Sequence, residues 1–123
     1  MSELTRTNEL PQNWYGGVDK AKEKARKLLN KVVVIDQNTS VVIGKLASVD
    51  IDKLWRSNVP YCRLLVNDSL RFRLDGKLEA KLGSEEVFFV NKPQMVLTVD
   101  EMEKTHPKIH DEFYKNWVKG FRD

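Results

Sequence analysis

Leu70-Arg71-Phe72-Arg73-Leu74-Asp75-Gly76-Lys77-Leu78-Glu79-Ala80-Lys81-Leu82 reads as two strands around a tight turn. Leu70, Phe72 and Leu74 alternate with Arg71 and Arg73, and Leu78, Ala80 and Leu82 alternate with Lys77, Glu79 and Lys81. Period-two alternation places the two sets on opposite faces of a pleated strand. A two-residue loop at Asp75-Gly76 would pair Leu74 with Lys77 and mix the faces. A three-residue loop, Asp75-Gly76-Lys77, with Gly76 in the left-handed region as a bulge, pairs Leu74 with Leu78 and Phe72 with Ala80. It also pairs Arg73 with Glu79, worth roughly a few tenths of a kcal/mol across the strands. The three-residue loop is therefore expected, with an outward face carrying Arg71, Arg73 and Lys81.

Other strands surround this hairpin. Residues 31–36 are rich in β-branched side chains and fit a strand buried on both faces. Gln37-Asn38-Thr39 is a turn. Residues 40–51 form a long second strand with a bulge or bend at Gly44, and residues 61–67 a third. Between them, residues 52–58 suit one helical turn around Leu54 and Trp55, stopped by Pro60. Beyond the hairpin, Gly83-Ser84 breaks the chain, and residues 86–91 and 94–98 give two more strands around Lys92-Pro93.

Helices flank the strands. Val18, Ala21, Ala25, Leu28 and Leu29 recur at helical spacing and predict a helix over 18–30, with Asp19 near its start and Asn30 at its end. Thr98 and Glu101 form a capping box that opens a short helix. It is interrupted near Thr105-His106-Pro107. A last helix over 108–119 follows, with Ile109, Phe113, Trp117 and Phe121 as its apolar stripe. Residues 1–16 read as a flexible arm carrying Trp14-Tyr15 before a glycine pair. Residues 17–123 read as one α+β domain, an antiparallel sheet of about five or six strands with an N-terminal and a C-terminal helix.

A basic helix leading into a bent five-strand meander resembles the small barrels of the Sm-like or SH3-like kind. The resemblance covers residues 19–99. It is carried by Lys31-Val32-Val33-Val34-Ile35-Asp36, by Ile43-Gly44-Lys45-Leu46-Ala47-Ser48-Val49-Asp50, and by Val87-Phe88-Phe89-Val90-Asn91 before a last strand. It implies a closed small barrel, and no functional residue is carried over from it. An open antiparallel sheet packed by two helices is the alternative architecture.

The chain of 123 residues has 41% apolar and 32% charged residues, the composition of a globular domain. Residues 1–12 hold no apolar run of the signal-peptide kind, and the apolar runs fall far short of the roughly 20 residues a membrane span needs. A single cysteine, Cys62, forms no internal disulfide. A reducing, cytoplasmic compartment is the expectation. The chain lacks a glycine-rich phosphate loop, a Gly-x-Ser-x-Gly elbow and a Cys-x-x-Cys pair. Cys62 between Tyr61 and Arg63 fits a half-buried structural thiol better than a nucleophile. His106 and His110 are four apart, but Pro107 between them and the absence of an intervening Glu favour two exposed imidazoles over a zinc site. Asp50-Ile51-Asp52 fits the polar outer face of a strand better than a cation site. No cofactor or metal is expected.

One positive signal remains. The net charge is +3, and Lys20, Lys24, Lys27 and Lys31 follow i, i+4, i+7, i+11 spacing, flanked by Lys22 and Arg26. Phosphate contacts need a stripe of this kind. Arg71 and Arg73 add a second patch, Arg63 a further charge, and Trp55 a ring for base stacking. The expectation is a non-catalytic module that binds an anionic ligand, nucleic acid or nucleotide, through Lys20, Lys24, Lys27, Lys31, Arg71, Arg73 and Trp55. The alternative is a protein-interaction module, an inhibitor, regulator or assembly subunit, working through an aromatic surface or a sheet edge, with a homo-oligomer as one form. An enzyme whose groups converge from distant positions is the third class.

Overall fold

Val33, Val34 and Ile35 are buried on alternating sides of one strand, as a β-branched run at the centre of a sheet requires. The computed structural model describes residues 12–53 and 60–121. Helix α1 (Gln12–Arg26) is followed by β1 (Val32–Asp36), β2 (Ser40–Lys53), β3 (Pro60–Arg73), β4 (Leu78–Lys81) and β5 (Glu85–Val90). A 3-10 turn (Pro93–Met95), β6 (Val96–Leu97), α2 (Val99–Thr105), α3 (Pro107–Asn116) and a final 3-10 turn (Val118–Phe121) complete the chain. All strand pairs are antiparallel, in the order β4-β3-β2-β1-β6, with β5 also on β3. The α+β class and the flanking helices are as expected.

The sheet is open rather than a closed barrel. β5 pairs with β3 and β6 with β1, and among the described residues no ladder joins β5 to β6. It is nonetheless strongly coiled. Val90 lies level with Cys62, whereas Val96 lies level with Ile35, Val42 and Arg71. In a flat sheet those ends would be about 35 Å apart at ordinary strand spacing and rise. The link from Val90 to Val96 reaches at most about 20 Å. The sheet must therefore curl.

The residues predicted as a third strand and the first arm of the hairpin are one strand, β3, kinked at Asp68 (φ 52°). Before the kink Leu64 and Val66 face α1, and after it Leu70 and Phe72 face α2 and α3. Strict alternation would put all four on one side. The kink lies against Gly44, where the β2–β3 register shifts. Gly44 is thus the expected irregularity of the second strand. One hydrophobic cluster sits between the sheet and α1, with Val18, Ala21, Ala25, Val42, Leu46, Cys62, Leu64, Val66 and Phe88 among its members. The other, including Val34, Val41, Ile43, Phe72, Met102, Ile109 and Phe113, lies beneath α2 and α3.

Several boundaries differ from expectation. α1 starts at Gln12 and ends at Arg26, four residues before Asn30, which terminates the following turn with φ 65°. The second strand runs on to Lys53, so the helical turn expected over 52–58 gives way to strand at its start, and residues 54–59 with Trp55 lie outside the described residues. Residues 1–11 of the arm lie outside them too. The last predicted strand shrinks to Val96–Leu97, because Pro93 opens a 3-10 turn. The last helix ends at Asn116.

The hairpin has a three-residue loop in another frame. Arg73 N–H donates to Lys77 O, and Gly76 N–H to Arg73 O. The loop is Leu74-Asp75-Gly76, with Gly76 last at φ 94°. A type I turn closed by a bulge needs its left-handed residue in that last position. Phe72 therefore pairs with Leu78, a bulge in β4 then sets Arg71 against Ala80, and Leu74 is 47% exposed. The tip docks on α3, where Lys108 O lies 3.0 Å from the place a Cβ on Gly76 would take.

The C-terminal unit is tied down at Glu101. Thr98 Oγ1 accepts from Glu101 N–H, and Glu101 Oε1 accepts from Thr98 N–H, so the expected capping box is complete. Glu101 Oε2 also lies 3.1 Å from Lys24 Nζ on α1. The Thr98 N–H bond, then Lys24, hold the Glu101 carboxyl below its ordinary range, against the opposing effect of burial. A group with a lowered folded pKa stabilises fully above its unfolded value and loses that contribution as pH falls through the folded one. The destabilisation caused by Glu101→Gln, read by urea unfolding, is thus greatest near neutrality and fades on acidification. Thr98→Ala costs about 1 kcal/mol.

Candidate functional site

The basic residues picked out in the sequence divide into free and engaged groups. Lys20 is exposed on α1, and Lys27 and Lys31 are exposed just beyond its end. Lys24 is half-buried, paired with Glu101 and 3.5 Å from Pro93 O. It fastens α1 to the C-terminal unit. Arg71 is half-buried beside Val42, on the α1 side of the sheet, with a buried Nε that finds no acceptor among the described residues. Arg73 alternates to the same side and pairs with Asp75 at 3.0 Å. α1 and the two arginines thus share one face. Lys81, expected beside them, lies on the opposite face, opposite Leu70 and 4.7 Å from the Trp117 ring centre. The β-bulge between the Phe72–Leu78 and Arg71–Ala80 pairs is the reason, because the extra residue in β4 turns the rest of that strand over.

The candidate catalytic and metal-ligating groups have structural surroundings. Cys62 is buried, and burial, reinforced by Asp50 and opposed by Lys22, pushes its thiol up to about 11. It is protonated at neutral pH, which suits packing rather than nucleophilic attack. The histidines are not exposed as expected. Half-buried His106 places Nε2 3.0 Å from Asp36 Oδ2, bridging β1 to the α2–α3 junction. His110 stacks on Tyr114, ring centres 4.4 Å apart. Asp50 lies 3.9 Å from Arg63 on the neighbouring strand. Among the described residues no three His, Cys, Asp or Glu side chains converge as metal ligands. A cleft of about 370 Å³ opens between the Asp36–Asn38 turn and the Asn91–Met95 link. Its carboxylate, Asp36, is already bonded to Asn38 N–H and to His106.

The sheet itself presents a surface that the sequence reading missed. Leu64, Val66, Phe88 and Val90 face α1, so their neighbours Arg63, Leu65, Val87 and Phe89 face the other way. On that side the α2–α3 cluster takes its β3 residues from beyond the kink, Leu70 and Phe72. Rows formed by Ser48, Leu65 and Val87, and by Asp50, Arg63 and Phe89, cross β2, β3 and β5. Val87 is 39% and Phe89 37% exposed, while Tyr61 and Leu65 are half-buried beside them. Tyr61 meets Phe89 edge-to-face at 6.3 Å. β5 also forms a sheet edge, since it pairs with β3 and with no other described strand. The outward N–H and C=O groups of an edge strand are a template for another strand. The arrangement offers main-chain hydrogen bonds beside an apolar, aromatic strip, the elements of strand addition.

The missed signal was Val87-Phe88-Phe89-Val90. Four apolar residues in a row suggest a strand buried on both faces. The kink in β3 leaves one of those faces outside the helical cover. Among the described residues no helix is long and apolar enough to cross a membrane. No protein-family model matches this chain, and no curated protein matches it.

Proposed function

We propose that this chain is a non-catalytic protein-interaction module that receives a partner strand at the β5 edge and the adjoining face of Tyr61, Leu65, Val87 and Phe89. One observation carries this reading: two large apolar side chains, Val87 and Phe89, stand exposed on an edge strand. Apolar side chains exposed along an edge strand that no other described strand pairs favour docking of a further strand there. The single buried cysteine fits a reducing, cytoplasmic setting for it.

Charging the face tests it. Val87→Lys and Phe89→Lys change side chains that reach the surface, so each costs about 1–2 kcal/mol and leaves the chain folded. Each abolishes partner recovery in a pull-down, whereas Lys20→Glu and Lys27→Glu leave it intact. Partner recovery that follows the lysines instead sinks the proposal.

A second reading, an anionic ligand such as nucleic acid or a nucleotide, keeps one supporting observation. Lys20, Arg26, Lys27 and Lys31 are all exposed on and just beyond α1. It requires salt-sensitive binding of a short single-stranded RNA or DNA in a fluorescence-anisotropy titration, lost on reversal of those charges. Lys24 is tied to Glu101, Arg71 is half-buried and Arg73, though exposed, pairs with Asp75, which leaves it fewer residues than the sequence promised.

A further inference from the structure

We infer that the strand received at the β5 edge is β5 of a second copy of this chain, paired antiparallel about a two-fold axis centred on Phe89. The inference rests on the docking surface proposed above and names its occupant. Directly opposed residues of an antiparallel pair point to the same face of the sheet. A two-fold pairing of identical strands therefore centres on one residue, and each position i meets position j of the other copy twice.

The edge charges select among the registers. Glu86 and Lys92 lie on the same parity of the strand as Phe88 and Val90. Centred on Val87, the pairing sets Glu86 against Phe88 of the second copy. Centred on Phe88, it sets Glu86 against Val90. Both place a carboxylate against an apolar side chain at the new seam, without a cation. Centred on Phe89, it sets Glu86 against Lys92 twice and Phe88 against Val90 twice. Lys92, two residues beyond the end of β5 and at the bend before the 3-10 turn, itself has extended dihedrals (φ −139°, ψ 142°). On the uncovered face the same register brings the two Phe89 rings together, with Val87 opposite Asn91 on either side. Tyr61 and Leu65 of each copy extend the joined strip. The patch is self-complementary in charge, as a two-fold interface requires.

The full-length chain is tested by sedimentation equilibrium up to about 100 μM, where a dimer of micromolar Kd is nearly fully assembled. The wild-type chain sediments as a dimer. Glu86→Lys and Lys92→Glu each place like charges across the seam and weaken the dimer by at least about tenfold in Kd. Mixing the two variants restores dimerisation. At one end of the mixed seam the introduced lysine meets the introduced glutamate, and at the other the native Glu86 meets the native Lys92. Only pairing centred on Phe89 predicts that rescue, and rescue also shows both variants to be folded. A wild-type monomer at that concentration overturns the inference, as does a dimer indifferent to the single reversals. Neither outcome alters whether the Val87 and Phe89 variants lose a different protein partner, so the two proposals fail separately.

Discussion

Replacing Phe72 with alanine lowers stability by about 4 kcal/mol, at the centre of the range for a fully buried phenylalanine. Phe72 has no exposed surface, stands between Val41 and Leu78 in the sheet, and belongs to the cluster with Met102, Ile109 and Phe113. The ring fills space between a hydrogen-bonded sheet and two helices. Neither side closes easily over the cavity, because the sheet is fixed by its ladders and α2 by its capping box and Glu101. Single domains are stable by only about 5–15 kcal/mol, so the variant retains a fraction of that. The expected fall in Tm is roughly 15 °C for a chain of this size. Urea unfolding should show a lower midpoint with the same slope. A loss below about 1 kcal/mol would mean that α2 and α3 do not rest on this side chain.

Gly44→Ala costs about 3 kcal/mol, an unusually large effect for one added methyl group. A Cβ at Gly44 would run into Val66 Cγ1, with Ser69 Cβ at 2.9 Å and Asn67 O at 3.0 Å. Val66 and Ser69 are both buried, and Asn67 O is backbone. Relief therefore means lifting the kink of β3 off β2. The kink is what turns Leu70 and Phe72 toward the C-terminal helices, so the strain spreads into the second cluster. Gly83 is the control. Nothing lies within 4 Å of a Cβ built there, and Gly83→Ala changes stability by no more than about 0.5 kcal/mol. Equal costs at the two glycines, measured by the same urea titration, would contradict the close β2–β3 packing.

Local chemistry was legible in the sequence wherever it is settled within a few residues. The Thr98–Glu101 capping box, the left-handed Gly76, the irregularity at Gly44 and the two-sided burial of Val33, Val34 and Ile35 all follow from spacing and residue type. The frame of the hairpin did not, because alternation alone favoured burying Leu74, whereas the turn placed Gly76 last and left Leu74 exposed. The kink at Asp68 was invisible for a related reason. A non-glycine residue at positive φ carries little signal of its own, yet it decides which half of β3 the C-terminal helices cover. That half decides which of the apolar residues in Val87-Phe88-Phe89-Val90 are left outside. The basic stripe shows the opposite limit. Spacing found the lysines, but not that Glu101, 77 residues away, takes Lys24 out of the surface.

Site-specific photo-crosslinking locates the surface that meets a partner. A benzophenone amino acid is placed at position 89 or, in a second chain, at position 27, and each full-length protein is irradiated in its native cell. A docking edge at β5 gives protein crosslinks from position 89, to another copy or to a different chain, and none of comparable yield from position 27. Crosslinks confined to position 27, above all to nucleic acid, would contradict it and move the functional surface from the edge of β5 to the basic end of α1.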